Sequence, residues 1–196
     1  MIGIISADVI KSELEECRSC FETALESHFP EQIAQAASAI IESLSRGHKL
    51  LIFGNGGSAS DAQHWAGELV VRFQTNRRAL AAIALSADST ILTACGNDFG
   101  FAQVFARQIE ALGHPGDVTI GISTSGNSAN VVLAFQTARR LGLTNILLTG
   151  ETKGLATDYC DILVAAPART TARIQELHLA AYHTICGLVD TYFLSN

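Results

Sequence analysis

The chain has 196 residues, of which 48% are hydrophobic and 16% are charged, and its formal net charge is −6. This length and composition are typical of one compact domain with a substantial buried core. No basic run exceeds the pairs Arg77–Arg78 and Arg139–Arg140, so the clustered basic surface that nucleic-acid binding requires is not expected. No apolar stretch approaches the roughly 20 residues that cross a bilayer, and the apolar start at Met1–Ile5 is too short for a signal peptide. We therefore expect a cytoplasmic protein that binds neither nucleic acid nor a membrane.

Hydrophobic periodicity predicts helices and strands that alternate along the chain. The second helix has Pro30 and Glu31 in its first turn and ends at Arg46 followed by Gly47, as helix-capping preferences favour. Short apolar strands between helices are typical of a parallel sheet covered on both faces, a three-layer α/β/α sandwich. In chain order, the predicted elements are helices 7–26 and 30–46, strand 49–53, helix 58–73, strand 81–85, a helix from about 88, a loop 96–100, helix 101–112, strand 117–122, helix 127–141, strands 145–148 and 161–165, and helix 170–194.

The five cysteines are scattered along the chain. Cys17 and Cys20 form an isolated CxxC pair within a predicted helix, with no second pair of ligands nearby. This arrangement favours ordinary helix packing over a metal or redox site, although the sequence leaves both open.

Two glycine- and serine-rich turns stand where predicted strands end and helices begin, at Gly54–Ser58 and at Gly121–Ser128. The unpaired N–H groups and the positive dipole of a helix N-terminus favour phosphate binding at such turns. The alternative is ordinary helix capping by serine and asparagine. The glycine spacing matches neither a dinucleotide fingerprint nor a P-loop. Because open α/β sheets bind ligands beyond the carboxyl ends of their strands, we favour a small phosphorylated ligand at these turns.

A second group of candidate side chains lies on two other helical stretches. His64 and Glu68 are four residues apart, which places them on one helix face. Gln175 and His183 are eight residues apart, just over two turns, and project to broadly the same side of the last helix. Together these four could ligate a divalent metal, although glutamine is an uncommon zinc ligand. A surface contact is the alternative for the first pair, and His178 is a competing histidine that could instead lie at the surface or in the core.

Several segments of the chain together resemble one enzyme family. They are Gly54–Ser58, Ala62–His64 with Glu68, Gly96–Gly100, Gly121–Asn130 and Arg173–His178. In this order they resemble the bacterial phosphoheptose isomerases, also called sedoheptulose 7-phosphate isomerases, which are sugar-isomerase (SIS) domain enzymes. The resemblance extends from the N-terminal helices to the last helix. One departure is Ala172, which stands where some members have an acidic residue, so any role of that carboxylate is absent here.

The resemblance implies a flavodoxin-like SIS fold, with residues 1–196 forming a single domain that carries an N-terminal helical extension over about 1–47. It also implies a homotetramer with active sites shared between neighbouring chains, and one zinc ion per subunit. The implied phosphate ligands are Ser123, Thr124, Ser125 and Ser128, helped by Ser58. The implied sugar-binding residues are Asn55, Gly56, Gly57, Asn97 and Asp98, together with Glu68 and Gln175. The implied catalytic residues are Glu68 and His183, and the implied zinc ligands are His64, Glu68, Gln175 and His183.

The reaction that the resemblance implies is conversion of sedoheptulose 7-phosphate to D-glycero-D-manno-heptose 7-phosphate, which supplies ADP-heptose precursors of lipopolysaccharide. Such a reaction removes a proton beside a carbonyl and returns it to the adjacent carbon through a cis-enediol, which a carboxylate can do. We assign Glu68 as the carbon base and His183 as its acid/base partner. A metal could instead polarise the carbonyl, and tight binding to zinc would make Glu68 a weaker base.

The resemblance leaves other functions open. The same fold includes a non-enzymatic protein that binds the bacterial replication initiator, but that protein lacks the carboxylate matching Glu68 and the histidine matching His183, both of which this chain has. A sugar-phosphate-sensing module is disfavoured because no DNA-binding segment is evident. An isomerase for another ketose phosphate is the closest enzymatic alternative.

Overall fold

The computed structural model describes residues 6–195, so the sequence prediction for Met1–Ile5 lies outside the described residues. Its helices are α1 (Ala7–Glu26), α2 (Phe29–Ser45), α3 (Gly57–Val70), α4 (Ser89–Phe99), α5 (Ala106–Leu112), α6 (Ala129–Arg140) and α7 (Thr171–Ser195). Its strands are β1 (Leu50–Gly54), β2 (Ala82–Ala84), β3 (Val118–Ile122), β4 (Thr144–Thr149) and β5 (Ile162–Ala165), with short 3₁₀ turns at Phe101–Gln103 and Leu155–Tyr159.

All five strands pair in parallel in the order β2-β1-β3-β4-β5. Alternate strand residues face opposite sides, because the side chains of a strand point up and down in turn. Leu50 and Ile52 contribute to a core with α2, α3 and α7, whereas Leu51 and Phe53 contribute to a second core with α4, α5 and α6. The predicted three-layer α/β/α sandwich with a parallel sheet is therefore confirmed, and its strand order is the flavodoxin-like one.

Three predicted elements differ from the structure. The expected loop 96–100 is wrong over most of its length, because α4 continues to Phe99 and ends at Gly100, whose φ of +86° favours glycine. Asp88 starts this helix by accepting hydrogen bonds from Thr90 N and Ile91 N, and Gly96 is tolerated in its interior. The expected helix 101–112 is divided into a 3₁₀ turn and the short helix α5. The expected helix 58–73 ends earlier, at Val70.

The segment after α3 is held by a buried ion pair. Asp190 of α7 accepts hydrogen bonds from Arg77 Nε, from Gln74 N and from both the amide and the hydroxyl of Thr75. Arg77 also donates to the backbone carbonyls of Glu68 and Leu69 in the last turn of α3. The side chains of Arg77 and Asp190 are 0% and 4% exposed, so this network ties the end of α3 to α7 in a region with little water.

We expect Arg77→Met to destabilise the fold by about 3 kcal/mol, because it leaves Asp190 as a buried charge without its cation. Urea unfolding of the variant and of the unchanged chain measures this difference. The matched control is Arg107→Met, which removes an exposed ion pair with Glu110 and should cost less than about 1 kcal/mol. Equal losses of unfolding free energy in the two variants would show that the buried ion pair stabilises the fold no more than the exposed one.

Candidate active site

The two glycine- and serine-rich turns lie side by side. β1 and β3 are neighbouring strands, with Gly54 paired to Ile122 at their carboxyl ends. The chain leaves β1 toward β2 and returns to β3, so this edge is the topological switch point where such sheets bind ligands. The two turns are joined directly, because the side-chain amides of Asn55 and Asn130 exchange two hydrogen bonds of 2.9 Å.

The serine turn presents hydroxyl groups and a helix N-terminus in one place. Ser123 is buried, and its Oγ lies 3.1 Å from Oγ of Ser128, which is the residue before α6. Ser128 makes no side-chain cap to the helix, so it leaves the first-turn amides of α6 without a side-chain partner. Thr124 is half-buried and Ser125 is exposed. This arrangement of hydroxyls and helix amides suits an anion.

Asn127 holds the serine turn in shape. Its side chain donates to the carbonyl of Ser125 and accepts from the amide of Leu155, and its own amide donates to Ser125 Oγ. The sequence alone predicts hydroxyl ligands in this turn and assigns no role to Asn127 or Asn130. The asparagines at these two positions of the Gly126–Asn130 segment were the available signal, since asparagine favours turns and helix starts.

The first turn meets the last helix. Gly57 begins α3, and a Cβ at this position would lie 2.5 Å from Nε2 of Gln175. Glycine therefore allows the Gln175 amide of α7 to lie against the backbone of the turn. Gly56 has φ +56° and is exposed, whereas Ser58 is buried beneath the turn.

A second contact between α3 and α7 lies two helical turns beyond the contact of Gly57 with Gln175. Nδ1 of His64 lies 3.0 Å from the Tyr182 hydroxyl, and the rings of His64 and His183 have centroids 5.1 Å apart. Because Gly57 meets Gln175 and His64 meets His183, α3 and α7 run side by side in the same direction. The two contacts are separated by about 10 Å along α3.

His64, Glu68 and His183 form the histidine–carboxylate cluster. One ligand atom from each lies within 4.8 Å of the others, and Nε2 of His64 is 3.0 Å from Oε1 of Glu68. Nε2 of His183 is buried and has no hydrogen-bond partner among residues 6–195. Burial, followed by the charge of His64, lowers the pKa of His183, and the charge of Glu68 opposes them. His183 is therefore disposed to be neutral, with a lone pair available to a proton or a cation.

The structure gathers three of the four expected zinc ligands. The Gln175 amide lies against the backbone of Gly57, and its role as the fourth ligand stays a prediction. Asn97 donates to Asp98, and Asp98 lines a groove between α4 and α5 that contains no member of the histidine–carboxylate cluster. Their role in binding sugar also stays a prediction. Cys17 and Cys20 are free thiols, and neither joins a potential metal group in the part of the chain that the structure describes.

His178 is a core residue and not a member of the cluster. It is fully buried on α7, and its Nε2 lies 3.0 Å from the carbonyl oxygen of Thr149 at the end of β4. That contact requires Nε2 to donate, so Nε2 carries a proton. Burial lowers the pKa of His178 to about 4, against the opposing effect of the Thr149 hydrogen bond.

The comparisons with known proteins identify the family. Residues 14–150 match the model of the SIS domain. The phosphoheptose isomerase of Trichlorobacter lovleyi is 48% identical over 181 residues, which are 92% of each chain, and that of Aliarcobacter butzleri is 51% identical over 82% of this chain and 85% of the relative. The chain belongs to the phosphoheptose isomerase family of SIS domain proteins. It is thus an enzyme of the isomerase class, as the resemblance had implied.

The same family appears among solved structures. The phosphoheptose isomerase of Francisella tularensis superposes with a TM-score of 0.91 at 37% identity and covers 96% of this chain and 100% of its own. The fold observed here is therefore that of a SIS domain enzyme over nearly its whole length. Among residues 6–195, no helix is both long and apolar enough to cross a membrane.

We expect the stability of the protein to fall between pH 6.5 and pH 4 because of His178. The unfolded histidine, with the ordinary pKa of 6.5, takes up a proton first, while the folded ring resists protonation until its pKa of about 4. This difference favours the unfolded state by up to about 3 kcal/mol at the lower pH. Urea unfolding at several pH values, compared with His178→Gln, measures it.

Glutamine can still donate to Thr149 but does not titrate, so His178→Gln should lose less stability than the unchanged chain over this range. His114→Gln removes an exposed histidine and should leave the pH dependence unaltered. If His178→Gln has the same pH dependence as the unchanged chain, the assignment of His178 as a buried neutral ring is wrong.

Proposed function

We propose that the enzyme converts sedoheptulose 7-phosphate to D-glycero-D-manno-heptose 7-phosphate, the step that supplies ADP-heptose precursors of lipopolysaccharide. The observation that carries the proposal is the histidine–carboxylate cluster two helical turns from the joined glycine- and serine-rich turns. The relatives in Trichlorobacter lovleyi and Aliarcobacter butzleri are phosphoheptose isomerases, which supports a heptose phosphate as the substrate.

In this proposal, the serine turn binds the phosphate. Ser123, Thr124, Ser125 and Ser128 donate hydroxyl hydrogens to the phosphate oxygens, and the N-terminus of α6 adds amides and a positive dipole. Ser58 helps from the neighbouring turn. Asn55, Gly56, Gly57, Asn97, Asp98 and Gln175 contact the sugar. The separation of about 10 Å along α3 leaves room for the sugar chain between the phosphate and the cluster.

Glu68 then acts as the carbon base. It removes the proton from C1 of the ketose, beside the C2 carbonyl, and returns it to C2 of the cis-enediol to form the aldose. His183, kept neutral by its surroundings, transfers protons between the two oxygens. The side chain of Glu68 is 21% exposed, so substrate can approach it, and its backbone carbonyl accepts a hydrogen bond from Arg77.

The cluster also suits zinc. Its two imidazoles and one carboxylate are common zinc ligands, and the buried Nε2 of His183 lacks a partner within residues 6–195. We propose His64, Glu68 and His183 as ligands, with Gln175 as a fourth. Zinc bound there would polarise the substrate carbonyl and stabilise negative charge on the enediolate.

We also propose a homotetramer with active sites shared between neighbouring chains. An apolar groove of about 390 Å³ is formed by α1, α2 and α7, and is lined by residues such as Phe21, Phe29 and Leu188. Further apolar side chains of α1 are exposed, including Ile10, which is 55% exposed, and Leu14, which is 64% exposed. Apolar surface of this extent on neighbouring helices supports burial against other subunits.

We expect the purified protein to form aldose product from sedoheptulose 7-phosphate, and Glu68→Gln to lower kcat by about a thousandfold. The substitution removes the base that transfers the carbon-bound proton while keeping the size of the side chain. The measurement is steady-state product formation, with unfolding curves to verify that the variant is folded. Glu110→Gln, at an exposed carboxylate, is the matched control and should keep normal turnover.

Near-normal turnover of a folded Glu68→Gln variant would show that another group is the carbon base. Absence of turnover in the unchanged chain, combined with binding of the replication initiator, would favour the non-enzymatic alternative. Turnover of a shorter ketose phosphate in preference to sedoheptulose 7-phosphate would redirect the assignment to another isomerase.

We expect Ser128→Ala to raise KM by about 10–100-fold with little change in kcat. A hydroxyl that donates to a charged phosphate contributes about 1.5–3 kcal/mol, and the phosphate is bound equally in the ground and transition states. Steady-state kinetics with sedoheptulose 7-phosphate give both constants. Ser38→Ala, which removes an exposed hydroxyl of α2, is the control. An unchanged KM in Ser128→Ala would remove Ser128 from the phosphate site.

A further inference from the structure

His64 of the cluster is contacted by Tyr182 at Nδ1, the ring nitrogen that does not face Glu68. Tyr182 is fully buried on α7, its ring stacks on Trp65 with centroids 5.3 Å apart, and its hydroxyl lies 3.0 Å from Nδ1 of His64. Asp61 precedes His64 by three residues, so both side chains lie on one face of α3. None of the assigned catalytic or ligand roles uses Asp61 or Tyr182.

Asp61 interacts with the same hydroxyl. The Asp61 carboxyl lies within reach of this hydroxyl and can serve as its acceptor. Oδ2 of Asp61 is nevertheless buried without a well-formed hydrogen bond to any residue between 6 and 195. The Tyr182 hydroxyl has a single hydrogen, so it can donate to only one of its two neighbours at a time.

The choice between these neighbours decides which nitrogen of His64 carries the proton. If Tyr182 donates to Nδ1, the ring must carry its proton on Nε2, where it points at Oε1 of Glu68, 3.0 Å away. If Tyr182 donates to Asp61 instead, its oxygen accepts from an N–H at Nδ1, and Nε2 is left with a lone pair. The ring stays neutral in both arrangements, because the proton gained by Nδ1 equals the one lost from Nε2.

We propose that Asp61 and Tyr182 are a positioning pair that sets the tautomer of His64, so that Nε2 offers its lone pair to a divalent cation held with Glu68 and His183. The unpaired Oδ2 of Asp61 is the acceptor that receives the Tyr182 hydroxyl when the cation binds. The inference rests on the proposed metal site. It adds two residues, beyond the ligands, on which cation affinity depends, since groups that orient a ligating histidine typically change metal affinity 10–100-fold.

The test measures the Kd for Zn²⁺ of the metal-free full chain by competition with a chromogenic chelator. We expect Tyr182→Phe and Asp61→Asn each to raise this Kd about tenfold. Phenylalanine keeps the buried ring on Trp65 but removes the hydroxyl. Asparagine keeps the size of Asp61 but can donate its amide to the tyrosine oxygen, which turns the hydroxyl toward Nδ1. The double variant should bind no more weakly than the weaker single variant, because both changes break one relay.

Tyr159→Phe is the matched control, because it removes the hydroxyl of a half-buried tyrosine on another part of the surface and should leave the Kd unchanged. Thermal unfolding of each metal-free variant checks the fold, and if Tyr182→Phe does not fold, Asp61→Asn decides alone. An unchanged Kd in a folded variant, fully additive losses in the double variant, or no Zn²⁺ binding by the unchanged chain would each overturn the proposal.

Turnover of sedoheptulose 7-phosphate is measured separately on the unchanged chain. Turnover together with unaltered Zn²⁺ affinity in the variants would overturn the positioning pair and leave the proposed reaction standing. Weakened Zn²⁺ binding in the variants without turnover by the unchanged chain would support the pair and overturn the proposed reaction.

Discussion

The neighbouring position of β1 and β3 in the sheet is the constraint on which the candidate site depends. The strand order β2-β1-β3-β4-β5 places the carboxyl ends of β1 and β3 together, although Gly54 and Ile122 are 68 positions apart in the sequence. The turn after β1 leads into α3 on one face of the sheet, and the turn after β3 leads into α6 on the other face. Hydrogen bonds between Asn55 and Asn130 join the two turns, so that hydroxyls from one and backbone from the other face a common space.

The packing of α3 against α7 extends this space, so that the glycine- and serine-rich turns lie at one end of the site and the histidine–carboxylate cluster at the other. Close approach at Gly57 and ring contacts at His64 keep the two helices side by side over two turns. The buried pair of Arg77 and Asp190 ties the end of α3 to α7 and holds the intervening segment, in which Phe73 contacts the ring of His183. Packing and buried charge thus determine the spacing of the groups that would act on substrate.

The histidine–carboxylate cluster contains a carboxylate and imidazole nitrogens, which base catalysis and cation binding require in different states. Its carboxylate is partly exposed and contacts His64, whereas the unpaired nitrogen of His183 is buried. A carboxylate that transfers a carbon-bound proton needs a free oxygen, and a ligand needs an oriented lone pair. Glu68 has two oxygens, so one can contact His64 or a cation while the other faces substrate.

Much of this protein is determined by local sequence. Apolar periodicity predicts the parallel sandwich, because buried strands and amphipathic helices have distinct spacings, and the motifs of the two turns and of His64 and Glu68 point to their family. The error at 96–100 arose because a single glycine interrupts the pattern without ending the helix, which Asp88 starts and Gly100 ends. Helix ends depend on caps that periodicity does not record.

The tertiary structure alone decides which distant residues meet. It brings His183 to His64 and Glu68, places Gln175 against Gly57 and buries His178 against Thr149, although all three residues lie on α7. It also reveals the contact of Asn130 with Asn55, 75 positions away, and that of Tyr182 with His64, 118 positions away. Asp61 shares a face of α3 with His64. The physical reason is that local spacing determines the face of a helix on which a side chain lies, whereas its partner depends on how the helices pack.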